Sequence, residues 1–298
     1  MVRQYKIHTN LDGTDDKVWD VTNGKVRFYQ PSNLGLQSTN NIWQSNGIGV
    51  MGTRSITQPQ IEFKLETFGE SLEENYRLMK DFINDILNQK FVTLEYQTEI
   101  FQVYADLALA DITKTEGYGK NGTFSEKITF DIITKWYTYE NLTFDMVQNG
   151  KVIAGKSKIY GGTAPGYYKY VKGTSYTYYG ETNIERLSRW DIKDEIFSFM
   201  GILYPKLPKT PTGVRFLDDI GNEYTAIVFK TEQVQDYILI NTDVNDETYQ
   251  GWKGTTALNL FPVMDFERYR TRIIEKGQME LINLSKAEFK IKRKADFV

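Results

Sequence analysis

The feature of the sequence that most limits the possible folds is a tyrosine-rich segment near the middle of the chain. Seven of the twenty tyrosines lie between Tyr160 and Tyr179. The surrounding residues 146–180 include five lysines and several glycines but no Asp or Glu. Because this stretch is so poor in Ile and Leu, it cannot bury a core of its own and must find apolar contact elsewhere. Any fold for the chain must therefore accommodate a long segment that packs on another surface.

The composition of this segment is typical of a binding surface. Tyrosine, together with Gly, Ser and Thr, supplies rigid contact area at a low entropic cost. Lysines without neighbouring acids favour an acidic partner. We therefore interpret residues 144–190 as an arm that holds a partner, although a β-hairpin lying flat on its own protein would also explain the tyrosines. The side chains expected to contact the partner are Tyr160, Tyr167, Tyr168, Tyr170, Tyr176, Tyr178, Tyr179, Lys169 and Lys172.

Length and composition exclude several classes of protein. A chain of 298 residues suggests about two domains. A net charge of -3 gives no general attraction to nucleic acid or to an anionic membrane. The absence of cysteine excludes disulfides, thiol catalysis and cysteine-rich metal sites. Neither a signal peptide nor an apolar stretch of about 18 residues is present, so we expect synthesis in a cytoplasm, no ordinary secretion and no membrane insertion.

The first part of the chain predicts a sheet with one helix. After an irregular start, residues 61–68 alternate apolar and polar side chains, as a half-buried strand does. A helix follows, because Ser71 and Glu74 form a capping box. Its apolar face is expected to contain Leu72, Tyr76, Met79, Phe82, Ile83 and Ile86. Further strands are predicted at residues 91–96, 101–105, 107–113 and 128–133.

The part of the chain beyond the arm predicts a second all-β domain. Residues 204–213 carry three of the seven prolines and suggest a connector or an edge strand. Residues 287–291 alternate once more and could pair with either sheet. The lysines around them are expected on a solvated strand face rather than on DNA. The remaining strands are predicted at residues 224–229, 237–241, 258–261 and 270–274.

Motifs for catalysis or cofactor binding are weak. GxGxxG occurs at Gly47 and at Gly117, but strand-like sequence follows them at residues 56–63 and 124–130, so flexible turns explain them. His8 is the only histidine and has no nucleophile elbow near it, so a polar residue in an N-terminal strand is the better interpretation. We expect no catalysis, no cofactor and no metal. The carboxylates considered for hydrolysis or calcium binding are Asp12, Asp15, Asp16, Asp218, Asp219, Asp243, Asp246 and Glu247, which we interpret as loop acids.

Several segments together resemble a known family. The strand and helix at residues 61–89 are followed by LEYQT (94–98), DITKTE (111–116) and FSEKITFDIITKWY (124–137). This order is similar to the N-terminal domain of the distal tail proteins of long-tailed phages of Gram-positive hosts. The similarity to the lactococcal type extends over the whole chain, including the arm.

The resemblance implies a fold and a set of partners. It implies an N-terminal split barrel or sheet with one packed helix at residues 1–140, completed by residues 282–298. It also implies a galectin-like β-sandwich at residues 141–281 that carries the arm. Such proteins form hexameric rings, contact the tail tube and tip proteins, and grip trimers of the receptor-binding protein. The expected location is the tail tip, or baseplate, of the virion.

Two alternatives to a structural protein of the tail tip remain open. A carbohydrate-binding module would stack Tyr or Trp rings on cell-wall polysaccharide. A glycoside hydrolase would need one particular pair of acids facing across a cleft.

Overall fold

The chain forms two compact units in the computed structural model. The structure describes residues 3–35, 37–57, 60–114, 124–144, 147–148, 151–152, 177–179, 185–206, 210–230, 235–244 and 246–295. The first unit comprises Met1–Thr138 with Ala295–Val298, and the second comprises Tyr139–Lys294. Each unit has its own hydrophobic core.

The first unit is an antiparallel sheet with one helix. Its strands are β1 (Gln4–His8), β2 (Val18–Asp20), β3 (Val26–Ser32), β4 (Gln37–Ser45), β5 (Ile48–Thr57), β6 (Ile61–Thr67), β7 (Val92–Gln97), β8 (Gln102–Thr113) and β9 (Ser125–Ile132). The order in the main sheet is β2-β1-β7-β8-β9-β6-β3, while β4 and β5 form a separate hairpin. Strands β2 and β3, at the two ends of this order, meet where the Phe28 N–H donates to the Val21 carbonyl oxygen at 2.7 Å. The sheet therefore curls into a split barrel, as expected from the sequence.

The helix α1 (Leu72–Leu87) begins at the predicted cap. Ser71 Oγ accepts the Glu74 N–H at 3.2 Å, and Glu74 Oε2 accepts the Glu70 N–H at 2.7 Å. The first bond satisfies a donor that the first turn leaves free, and the second ties the helix to the residue before its cap. The helix packs against β3 and β6, and its Phe82 ring lies edge-on to Phe28 in the core.

The buried face of α1 differs from the predicted one in its first turns. Met79, Phe82 and Ile86 are buried as expected, but Leu72 and Tyr76 are 58% and 63% exposed. Asn75 takes the inward position instead, because its Oδ1 accepts the Gly69 N–H at 2.6 Å and so fixes the chain that enters the helix.

Two further predictions for this unit need correction. Residues 101–105 and 107–113 belong to one strand, β8, with an irregularity between Leu109 and Asp111. The start of the chain, expected to be irregular, contains β1 to β5. Strand β1 is only five residues long and is fixed by its long-range pairing with β7, which local alternation does not reveal.

The second unit is a sandwich of two antiparallel sheets. Its strands are β10 (Tyr137–Phe144), β11 (Val147–Gln148), β12 (Lys151–Val152), β13 (Thr177–Tyr179), β14 (Glu185–Ile192), β15 (Ile196–Pro205), β16 (Thr212–Leu217), β17 (Glu223–Phe229), β18 (Tyr237–Asn241), β19 (Thr248–Lys253), β20 (Thr256–Asn259), β21 (Gly277–Ile282) and β22 (Leu284–Lys294). One sheet has the order β10-β22-β15-β18-β19-β20 and the other β13-β14-β21-β16-β17. Strands β11 and β12 pair with each other. The two larger sheets share one core, in which Phe199 contacts both Phe216 and Phe289 at 5.8 Å between ring centroids.

Two strands predicted in this unit end early or are absent. Strand β20 stops at Asn259, and Phe261–Val263 forms a 3-10 turn that contains proline. Residues 270–274 make only an isolated bridge from Ile274 to Ile196. Here the Thr225 hydroxyl accepts the N–H groups of Arg270 and Thr271, so these donors are not available to a strand ladder.

The last strand, β22, belongs to the second unit. Residues 282–298 were expected to complete the first domain, but β22 pairs with β15 from Leu284 to Arg293. Only from Ala295, whose N–H donates to the Trp136 carbonyl oxygen at 2.9 Å, does the chain join the first unit. Since β22 lies between β10 and β15, it is not an edge strand.

A lysine of β22 is buried rather than solvated. Lys292 Nζ lies 2.8 Å from Asp243 Oδ2, and the two side chains are 7% and 12% exposed. The strand pattern predicts a solvated Lys292, and this prediction is wrong because the ion pair offsets the cost of burying the charge.

Replacing Lys292 with methionine is expected to destabilise the second unit by about 3–5 kcal/mol, since it removes the ammonium group from a buried ion pair with Asp243. Urea unfolding followed by circular dichroism measures this change. The matched control is Lys290→Met on the same strand. Lys290 is half-buried over the Tyr139 ring at 4.0 Å, an interaction worth about 0.5–1 kcal/mol. Equal unfolding midpoints for the two variants would contradict the prediction.

Candidate interaction surfaces

The first unit carries a long hairpin that forms a sheet of its own. Strands β4 and β5 pair from Gln37↔Thr57 to Ser45↔Ile48. Their connection is Asn46-Gly47, with φ angles of 50° and 79°. Positive φ at both central residues defines a type I′ turn, which Asn-Gly adopts readily and which matches the twist of a hairpin. Nine residues of strand extend about 30 Å.

The hairpin exposes apolar side chains on both of its faces. Every residue from 38 to 55 is exposed. Trp43 pairs with Val50 on one face, and Ile42 pairs with Met51 on the other. These side chains are 68%, 63%, 53% and 49% exposed, respectively, and Ile48 beside the turn is 69% exposed. An isolated two-stranded hairpin is only marginally stable in water, and clustered exposed apolar groups mark interaction sites. Both faces of the hairpin tip thus suit contact with another protein.

The sequence pattern did not predict the exposed surface of the hairpin. Gly47 was interpreted as part of a flexible turn, and it does lie in a turn, but the strands on either side were not predicted. The available signal was Asn46-Gly47 flanked by the apolar residues Trp43 and Val50. The second glycine motif, at Gly117, lies outside the described residues.

A second exposed apolar patch surrounds the start of α1, and we call it the helix patch. It contains Tyr29, Phe68, Leu72 and Tyr76, which are 36%, 39%, 58% and 63% exposed. The Arg27 guanidinium lies 4.6 Å from the centroid of the Phe68 ring. The first unit therefore presents two separate apolar surfaces, the hairpin and the helix patch.

The arm connects the two sheets of the second unit. It begins at the end of β10, in the sheet that contains β22, and returns through β13 and β14, in the other sheet. Tyr178 and Tyr179 lie in β13, whose backbone pairs with Arg186 and Glu185 of β14. The other predicted contact residues lie outside the described residues: Tyr160, Tyr167, Tyr168, Tyr170, Tyr176, Lys169 and Lys172. Their role in binding stays a prediction.

A pocket of about 520 Å³ lies on the outer face of the sheet formed by β10, β22, β15 and β18. Met200, Ile202 and Leu239 contribute apolar side chains to it, and Glu288 and Lys290 are among its charged residues. The aromatic residue among its described lining residues, Phe289, is 3% exposed and packs into the core. A sugar-stacking site uses an exposed aromatic ring, so this pocket gives no support to a carbohydrate-binding module.

The carboxylates considered for hydrolysis serve local structure. Asp218 accepts the N–H groups of Ile220 and Asn222 within a turn. Asp243 pairs with Lys292, and Asp246 accepts the Asn241 side-chain N–H at 3.1 Å. Within the described ranges, no group of three His, Asp or Glu side chains has the arrangement of a metal site. In the same part of the chain, no helix is long and apolar enough to cross a membrane.

Comparison with protein families accounts for almost the entire chain. Residues 4–133 match the N-terminal domain of distal tail proteins, and residues 135–298 match the Dit C-terminal domain. This chain belongs to the distal tail protein family. The resemblance recognised in the sequence is confirmed.

Similar distal tail proteins come from lactococcal phages. The chain is 95% identical to that of Lactococcus phage p2 and 92% identical to that of Lactococcus phage SK1, and each comparison covers all of both chains. Among solved structures, a chain of the phage p2 baseplate in its activated conformation with calcium is 95% identical, with a TM-score of 0.78 and complete coverage of both chains.

A distant distal tail protein supports the fold. The Dit protein of phage SPP1 is 10% identical, with a TM-score of 0.53, and the match covers 98% of this chain and 99% of that one. At this identity the comparison shows the fold alone. It agrees with the mainly β architecture, and the expected fold class is confirmed.

Proposed function

We propose that this chain is a structural hub protein of a phage tail tip. Six copies form a ring through the first unit, which joins the tail tube to the adhesion device. The arm of the second unit holds trimers of the receptor-binding protein. Support comes from family membership and from the 95% identical chain in the phage p2 baseplate. The protein is made in the host cytoplasm and acts in the virion, and its function involves no catalysis.

Ring formation is inferred mainly from the exposed apolar side chains of the β4–β5 hairpin. Its exposed apolar tip needs a partner surface. The helix patch on the same unit offers an apolar surface of a different shape, so contact between the hairpin of one copy and the helix patch of the next is heterologous. Repeated heterologous contacts generate a closed ring when the rotation between successive copies closes on itself.

The charges near the two surfaces leave apolar contact as the main basis for this pairing. Arg54 is the one charged residue in the hairpin sequence, residues 37–57. The helix patch has charges of both signs beside it, with Glu70 and Glu73 at the start of α1 and the Arg27 guanidinium over the Phe68 ring. Such charges influence the orientation of a contact more than its affinity.

The mass of the protein in solution tests the ring. At micromolar concentration we expect a particle with six times the mass of the 34.6 kDa chain, and rings should be visible by electron microscopy. Sedimentation velocity or native mass spectrometry measures the mass directly. A strictly monomeric protein that shows no rings would count decisively against a hub.

A further inference from the structure

The first unit contains a buried network of charged side chains on the sheet face that points away from the core. His8 Nδ1 lies 2.6 Å from Asp16 Oδ2, and His8 Nε2 lies 2.8 Å from Glu95 Oε2. Lys6 Nζ donates to the other oxygen of Glu95 at 2.8 Å. The side chains of His8 and Glu95 are 9% and 5% exposed. The lone histidine is therefore a polar residue in an N-terminal strand, as expected, but it is also the centre of a charge network.

The geometry specifies the protonation state of the histidine. A neutral imidazole has one N–H and one bare nitrogen, whereas a carboxylate can only accept hydrogen bonds. Since each ring nitrogen of His8 faces a carboxylate oxygen, both contacts are hydrogen bonds only when both nitrogens are protonated. The network is then balanced, with two positive charges on Lys6 and His8 and two negative charges on Asp16 and Glu95.

Asp16 connects this network to the loop between β1 and β2. Its second oxygen, Oδ1, accepts the Asn10 N–H at 3.0 Å. The two ends of the loop are joined because the Thr9 N–H donates to the Lys17 carbonyl oxygen at 3.1 Å. Strand β2, which follows the loop, has three residues and lies at the end of the strand order. Because β2 has its own backbone pairing with β1, the bond between Asp16 and His8 holds the loop, rather than the strand, to the sheet.

We propose that His8 is a proton-dependent latch that holds the loop of residues 9–17 against the sheet of the first unit. When the imidazolium loses a proton, one of its nitrogens becomes an acceptor. That nitrogen then faces a carboxylate with no hydrogen between them, and the network acquires an unbalanced negative charge. Glu95 keeps its bond to Lys6, so the contact that opens is the one with Asp16.

The groups around the network determine the pH at which the latch opens. Burial alone lowers the pKa of His8, but its hydrogen bonds with Glu95 and Asp16 outweigh burial and raise the pKa above the ordinary 6.5. The hydrogen bond from His8 is the main cause that lowers the pKa of Glu95 to about 2, against the effect of burial. Tyr104 of β8 lies opposite Glu95. Burial raises the pKa of Tyr104, and the charges of Glu95 and of Asp12 in the loop raise it further. On β7, Thr93 lies opposite His8 and donates to Asp106 of β8 at 2.8 Å.

The direction of the pH dependence follows from these shifts. Because the pKa of His8 is higher in the folded protein, its stabilising contribution is complete below pH 6.5 and is lost as the pH rises through the raised value. Glu95 has a lowered pKa, so its contribution is present above pH 4.5 and is lost as the pH falls towards about 2. Both stabilising contributions are therefore complete between pH 4.5 and pH 6.5.

The test uses the full chain labelled with ¹⁵N at histidine, because a single histidine gives a single pair of ring signals. We expect both ring nitrogens to stay protonated above pH 6.5. We also expect the hydrogen-exchange protection of the Asn10 amide to fall about tenfold as His8 loses its proton, which corresponds to one pKa unit of differential interaction. Titration of His8 at or below its ordinary pKa would overturn the proposal, and so would unchanged Asn10 protection.

Matched variants separate the latch from a general effect of charge. Asp16→Asn is expected to lower the pKa of His8 and to weaken Asn10 protection already at pH 6. Asp15→Asn removes the same charge from an exposed neighbour in the same loop and is expected to behave like the original protein. Identical behaviour of the two variants would also overturn the proposal.

Discussion

Replacing both Trp43 and Val50 with aspartate is expected to convert the ring into monomers while both units stay folded. The two side chains face each other across the hairpin and are 68% and 63% exposed. Neither belongs to the core of the first unit, so the substitutions remove little folding energy. In the proposed interface, however, each would bury a carboxylate where an apolar group had been. Losing an aromatic anchor such as Trp43 costs an interface about 2 kcal/mol or more, and each of the two buried carboxylates adds about 1–3 kcal/mol, so the double change should weaken each contact by a factor of about 10³ or more.

Sedimentation velocity gives the mass of this variant, and circular dichroism tests its fold. The control is Ile100→Asp, which places one aspartate at an exposed apolar position in the same unit. Ile100 is 88% exposed in the turn between β7 and β8. The control should retain the mass of the ring. If the hairpin variant also kept that mass, the hairpin would not be the contact. Monomers from both variants would indicate that any added negative charge dissociates the ring.

The elements that the sequence predicted are those whose pattern is local. Residues 61–66 alternate strictly between apolar and polar, and β6 has the same alternation of burial along its length. The capping box at Ser71 marked the start of α1 because the bonds that form it join residues only three or four apart. Such elements depend on neighbours in the sequence, and their physical causes are visible in it.

The elements that the sequence did not predict depend on distant partners. Strand β1 is defined by its pairing with β7, nearly ninety residues away. The burial of Lys292 depends on Asp243, 49 residues earlier in the chain. The β4–β5 hairpin does have a local turn signal, but its strands lack a buried face because their apolar side chains point outward on both sides. Alternation of apolar and polar residues predicts that one face of a strand is buried within its own chain. Apolar side chains on both faces suit burial against another chain instead.

For the candidate sites, the sequence identified the arm but not the hairpin. An unusual composition is visible in a sequence even when its contacts are not, and the acid-free run of tyrosines and lysines is such a feature. The hairpin has an ordinary composition, so it became a candidate only when the exposure of Trp43 and Ile48 was known. The charge network at His8 likewise needed the register of β1 with β7, which brings Glu95 next to the histidine.

Replacing residues 146–180 with a short Gly/Ser linker is expected to leave a folded ring that no longer retains the receptor-binding protein. Among the described residues, the core of the second unit has Phe144 before this segment and Trp190 and Ile192 after it, and none within it. The deletion removes β13, which pairs with one neighbour, β14, so both sandwich sheets keep their central strands. Co-elution with purified trimers of the receptor-binding protein of the same phage measures retention, and the mass of the variant reports on the ring.

A milder variant separates the charge of the arm from its bulk. Changing Lys169 and Lys172 to glutamate keeps the tyrosines but replaces two positive charges with two negative ones. Against an acidic partner this change should weaken retention and reverse its dependence on salt, because exposed charges are screened over about 8 Å at physiological ionic strength. Changing both lysines to arginine is the matched control and should retain the trimers. Retention by the deleted ring at the original level would place the binding site elsewhere on the chain, and loss of the ring on deletion would show that residues 146–180 support the fold.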